Sequence, residues 1–151
     1  MIKVFNSAFE NSIRIVILLD VFESPENLDM IYAVDFMVSY GKTFGLSQNN
    51  LNGENPYMFS EFAARRGFVK QALKELALYG MIKPVNTSSG IFYQITELGT
   101  NFSRSLESDY ACEYRLVAQK AVQSVSGKTA GFIISRINGM STTNLKGDVG
   151  L

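Results

Sequence analysis

Catalysis needs particular side chains at workable spacings, and this sequence of 151 residues is short of them. It has no histidine, so a serine or cysteine nucleophile lacks its commonest general base, and no spacing sets two carboxylates to work as acid and base. The lone cysteine, Cys112, has no partner for an internal disulfide, and without histidine there is no ligand set for zinc. Lying inside an amphipathic helical pattern, Cys112 is expected to be a small core filler rather than a reactive thiol. Gly41-Lys-Thr43 and Gly127-Lys-Thr129 echo the end of a phosphate-binding loop, but Phe36 and Val122 stand where that loop needs its earlier glycine. The expectation is therefore a non-enzymatic chain, with no catalytic residues, no metal, no cofactor and no small-molecule substrate.

What remains is binding chemistry. Arg66, Lys70 and Lys74 recur at every fourth residue with Arg65 beside them, which lays three cations along one helical stripe. Ahead of a β-hairpin, such a stripe could enter a DNA groove and meet phosphates or guanine edges. Against that, 14 Lys plus Arg balance 14 Asp plus Glu, Glu61 and Glu75 flank the stripe, and the turn from Asn86 to Gly90 has no cation. A solvated or protein-facing stripe fits better. Arg14 and Asp20 are the charged exceptions on a helix that is otherwise apolar on nearly every side. They either snorkel or pair within the molecule, or else dock another chain. Asp35, between Val34 and Phe36, is expected at an exposed helix position or at an interface.

Composition and pattern define the elements that must hold these residues. Hydrophobic residues make up 46% of the chain and charged ones 19%, enough for one folded core and too apolar for intrinsic disorder. No apolar run is long enough to cross a membrane and no leader pattern opens the chain, so a cytoplasmic location is expected. Ser7-Ala-Phe-Glu10 has capping-box spacing and starts a helix to Phe22. Ser24-Pro25-Glu26 reads as the start of a second, running to about Tyr40. From Lys42 to about Tyr57 the Asn- and Gly-rich sequence predicts a long connection. A third helix is expected from a Ser60 cap to Tyr79, with Phe62, Phe68, Val69, Ala72, Leu73, Leu76 and Ala77 inward and Gly80 as its left-handed terminator.

Met81–Val85 and Ile91–Thr96 then form a hairpin about a turn-prone Asn86–Gly90. Thr96 caps a helix with Leu98, Phe102 and Leu106 on one face, and Ser108 or Asp109 opens another carrying Tyr110, Tyr114, Val117, Ala121 and Val125. A last short helix covers Thr129 to Ile137, and the polar sequence beyond Asn138 reads as a loose tail. The sum is a mainly α chain with a small β-hairpin: a winged helix-turn-helix domain with added C-terminal helices over 1–138, followed by a flexible tail over 139–151.

Several stretches together resemble a known family: Phe5-Asn-Ser-Ala-Phe-Glu10, Val34-Asp-Phe-Met-Val-Ser-Tyr-Gly41, Arg66 through Ile82, and Gly90-Ile-Phe-Tyr-Gln-Ile-Thr-Glu97 followed by Phe102, Leu106 and Tyr110. They look like the middle component of bacterial ABC-three-component systems. The resemblance implies an accessory subunit of an anti-phage or anti-plasmid defence complex. Its partners would be a large ATPase similar to structural-maintenance-of-chromosomes proteins and an effector, often a nuclease, with DNA reached through the complex. A hydrophobic platform on the first helix and on Asp109–Val125 would receive the partner, with Arg14, Asp20, Asp35, Tyr110, Tyr114 and Val117 as candidate interface residues. Arg65, Arg66, Lys70 and Lys74 would touch an acidic surface or DNA. The alternative is a winged-helix transcriptional regulator that binds DNA as a dimer.

Overall fold

The Ser7 hydroxyl accepts from Glu10 N at 3.2 Å and opens α1, Ala8–Phe22, at the predicted residue. The computed structural model describes residues 7–51 and 53–149, so Met1–Asn6, read for a leader, Asn52 of the long connection, and Gly150 and Leu151 of the expected tail lie outside it. The second helix starts later than its serine-proline signal. Glu26–Asn27 is extended as β1, and Asn27 caps α2, Leu28–Ser39, by accepting from Met30 N at 2.8 Å. Pairing with the hairpin competes with helix here: Glu26 lies opposite Tyr93 and Asn27 opposite Phe92.

Turns, bends and irregular backbone connect α2 to α3 among the described residues. The connection is tethered by Asn55, whose amide donates to Tyr40 Oη at 3.1 Å and to Glu61 Oε1 at 3.0 Å, and by partly buried Phe44, Leu46 and Leu51. Helix α3, Met58–Leu78, follows Tyr57 without a side-chain cap, so Ser60 lies inside the helix instead of capping it. Phe68, expected inward, is exposed, because the inner face is the one shared by Phe62, Arg65, Val69, Ala72, Leu73 and Leu76.

Gly80, at φ 76°, ends α3 with two bonds that satisfy its last carbonyls, Gly80 N to Ala77 O at 3.0 Å and Met81 N to Leu76 O at 2.9 Å. The chain reverses into β2, Ile82–Thr87, and β3, Gly90–Ile95. The sheet is antiparallel in the order β1-β3-β2, which leaves Pro84 on an edge strand where its missing N–H costs least. Thr96 joins both ends of the wing: its hydroxyl donates to Gly80 O at 2.7 Å and accepts from Gly99 N at 3.2 Å, capping α4, Glu97–Ser105. Gly99 touches the same junction so closely that a Cβ would fall 2.1 Å from Met81 O.

Ser108 caps α5, Asp109–Ser124, and α6, Ala130–Val149, continues beyond Asn138, where the sequence pattern gave a loose tail. Helix α1 packs against α3, α4 and α5, and α2 packs against α3, α5 and α6, so α1 and α2 form the centre of the core. This is a winged-helix-like fold: mostly helical, with a small three-stranded sheet. Cys112, expected in the core, lies exposed on the outer side of α5, because Ala111, Tyr114, Val117, Ala118 and Ala121 take the inner face. No helix among the described residues is long and apolar enough to cross a membrane.

Candidate functional site

The residues singled out for chemistry divide into an interior cluster and an outer face, with α3 contributing to both. Asp35 is fully buried rather than on an exposed helix position, since α2 is covered by α1, α3, α5 and α6. Its Oδ1 accepts from Arg14 Nε of α1 at 3.0 Å and from Tyr114 Oη of α5 at 2.8 Å. Its Oδ2 accepts from Arg65 Nη1 of α3 at 2.8 Å, and the same nitrogen donates to Ser39 Oγ at 2.9 Å. Arg14 also donates to Asn11, and the Arg65 guanidinium stands over the rings of Phe36 and Tyr40 at 5.7 and 5.8 Å.

Burial alone would raise the Asp35 carboxyl, but the Arg14 and Arg65 guanidiniums, with the hydrogen bonds from Arg14 and Tyr114, hold it below the usual carboxylate range. Burial and the charge of Asp35 push the Tyr114 hydroxyl well above its ordinary value, so it stays a hydrogen-bond donor. One carboxylate thus ties together four helices. Arg65 Nη2 has no hydrogen-bond partner among the described residues. The arrangement is a structural lock rather than a site open to a partner: Arg14, Asp35, Arg65, Tyr114 and Val117, read from sequence as contact candidates, lie inside the core.

Tyr110 is half-buried on the same side, with burial raising its hydroxyl. Asp20 is occupied within the molecule as well, accepting from Ser103 Oγ at 2.9 Å and pairing with Arg104 at 3.5 Å. The expected platform on α1 and α5 is mostly consumed by the packing of these helices on each other and on α2.

The outer face of α3 is different. Arg66, Lys70 and Lys74 are exposed along one edge, as the spacing predicted, and only Arg66 has an ion pair among the described residues, to Asp29 at 2.8 Å. The opposite edge meets the start of α1 in an apolar groove that sequence reasoning missed. Tyr79 is 72% exposed there and Phe9 69%, with Phe68 nearby and Leu78 at 85% on the crest between the two edges. Phe9 stands in the α1 run that looked apolar all round, so its exposure was hidden; Phe68 was assigned inward. The signal for Phe68 was its phase, off the stripe Phe62–Arg65–Val69–Ala72–Leu76. Aromatic side chains are enriched in protein-contact surfaces over the rest of a protein's exterior.

No curated protein and no solved structure matches the chain. The profile of one family, described as ABC-three component (ABC-3C) system Middle Component 2, matches residues 4–146. With nearly the whole chain covered by that match, and a winged-helix-like fold around a sealed ionic core, the protein belongs to the family of ABC-three component system middle components.

Proposed function

We propose that the chain is a non-catalytic accessory subunit that docks a large ATPase of its system through the outer face of α3, within a cytoplasmic complex for defence against phage or plasmids. The carrying observation is that face itself: exposed Phe9, Phe68, Leu78 and Tyr79 beside the cations Arg66, Lys70 and Lys74. Its apolar part supplies area that water disfavours, and the cations supply orientation and encounter rate. The family's name supports the role of one component among several. The bridging of the ATPase to an effector, often a nuclease, follows from the resemblance noted above.

Co-purification of the tagged chain with the ATPase encoded beside it tests this reading. A salt-resistant complex is expected, and the double charge reversal Arg66→Glu/Lys70→Glu should weaken it, or its retention of DNA, without unfolding the subunit. Normal assembly and DNA retention by that variant would sink the assignment.

A second reading, a dimeric DNA-binding regulator, draws on Lys70 and Lys74 of the helix before the wing, which are exposed and make no ion pair among the described residues. The exposed aromatic edge and the zero formal charge favour a protein partner. Isolation as a homodimer that shifts promoter DNA would reverse that order.

A further inference from the structure

The groove between α1 and α3 comprises two neighbouring cavities that share a lining residue. The narrower half, of about 190 Å³, is lined by Phe68 and Gln71 among others; the wider half, of about 390 Å³, by Phe9, Tyr79, Met81 and Phe102 among others. Among the described residues, Glu75 alone lines both halves. Its carboxylate is weakly engaged, reached by Ser12 Oγ at 3.5 Å and by Gln71 Nε2 at 3.4 Å, both neutral donors at the outer limit of hydrogen-bond length. No cation pairs with it among the described residues.

A lone carboxylate flanked by exposed aromatic rings suits one kind of guest. A guanidinium or ammonium would gain a charged hydrogen bond to Glu75 and the faces of the neighbouring rings, and apolar side chains next to it would cover Phe9, Ile13 and Phe102. An acidic segment would be repelled from the same place.

We propose that this groove binds a segment of the partner ATPase that inserts an arginine or lysine toward Glu75 and seats flanking apolar side chains in the wider half. This rests on the docking face inferred above and adds the chemistry of what lies in it. The cationic edge of α3 then serves another part of the partner, so the two edges read opposite charges and fix the direction in which the partner lies.

The test co-expresses the full chain with the ATPase of its own system and places a benzoylphenylalanine photo-crosslinker at Tyr79. The crosslinked ATPase peptide is expected to contain a basic residue beside apolar ones. Glu75→Lys should weaken the complex at least about tenfold and Glu75→Gln several-fold, and changing the crosslinked basic residue to Glu should restore binding to Glu75→Lys. Glu75→Gln keeps the shape and can keep both neighbours, with its carbonyl accepting from Gln71 and its amide donating to Ser12 Oγ; urea unfolding that is unchanged in this variant separates lost binding from lost folding.

A crosslinked peptide lacking any basic residue, or a complex indifferent to both Glu75 variants, overturns the proposal. If the Arg66→Glu/Lys70→Glu variant loses the complex while the Glu75 variants keep it, the groove assignment falls and the docking face stands. If all of these variants assemble normally and Tyr79 gives no crosslink, both fall.

Discussion

Arg65 and Arg66 are neighbours in sequence and opposites in the fold. Arg65 is 3% exposed and shares Asp35 with Arg14, while the Arg66 side chain is 48% exposed and pairs with Asp29 in water. The inner side of α3 is thus held by charge in a low-dielectric interior, and the outer side presents charge to whatever approaches. Partner removal inside leaves an uncompensated buried ion; outside, solvent replaces the partner. Conserving a charge type says little about its work until its phase on the helix is known.

The largest effect should come from breaking the inner side. Arg65→Ala or Asp35→Ala is expected to cost about 3–5 kcal/mol of stability, whereas Arg66→Ala should cost under about 1 kcal/mol, both read by urea unfolding. Equal losses at the two arginines would end the contrast. Next in size is the junction that aims α3 at the wing. Gly99→Ala places a methyl against Met81 O and Ile95, and a penalty of about 1–3 kcal/mol is expected in the same assay. A neutral outcome would mean that α4 can shift without disturbing the sheet.

Tyr114→Phe sharpens the interior further, removing only the hydroxyl that donates to Asp35 Oδ1 at 2.8 Å, for a loss of about 1.5–3 kcal/mol.

Titration of the cluster is the smallest and most specific probe. Because the folded state lowers the Asp35 pKa, the carboxylate contributes stability that is complete above its unfolded value near 4 and lost as pH falls toward the lowered folded one. Stability measured from pH 7 to pH 2 should therefore drop on the acid side, and Asp35→Asn should show a smaller acid-side drop from its already reduced level. A variant with an unchanged acid limb would assign that limb to other carboxylates.

Much of this was legible in the sequence, and the failures have physical causes. Ser7, Gly80, Thr96 and Ser108 sit at helix ends whose chemistry is local, so those boundaries could be read from a few residues. The start of α2 could not, because Glu26 and Asn27 pair with β3, whose residues follow more than sixty positions later. The sequence beyond Asn138 looked loose from composition, yet α6 continues to Val149, and the burial of Ile133 and Ile137 shows that its first turns pack into the core.

The ion cluster was visible only in part. A partner for Arg14 within the molecule was foreseen as one option, but Asp35 was expected at an exposed position or an interface, because the sequence alone does not show that α2 is covered by α1, α3, α5 and α6. Arg65 is harder to tell from Arg66 by type, and only its four-residue step to Val69 places it inside. The groove at Glu75 was least legible, since it depends on the crossing of α1 over α3 and on which aromatic rings that crossing leaves uncovered.

The central claim, that the outer face of α3 receives the partner, is tested most directly by amide hydrogen exchange on the full chain, alone and in complex with the ATPase of its system. Protection on complex formation should appear over residues 66–81 and the first turns of α1, with α5 and α6 unchanged. Protection confined to α5 or α6, with the α3 amides exchanging as in the free chain, would contradict it.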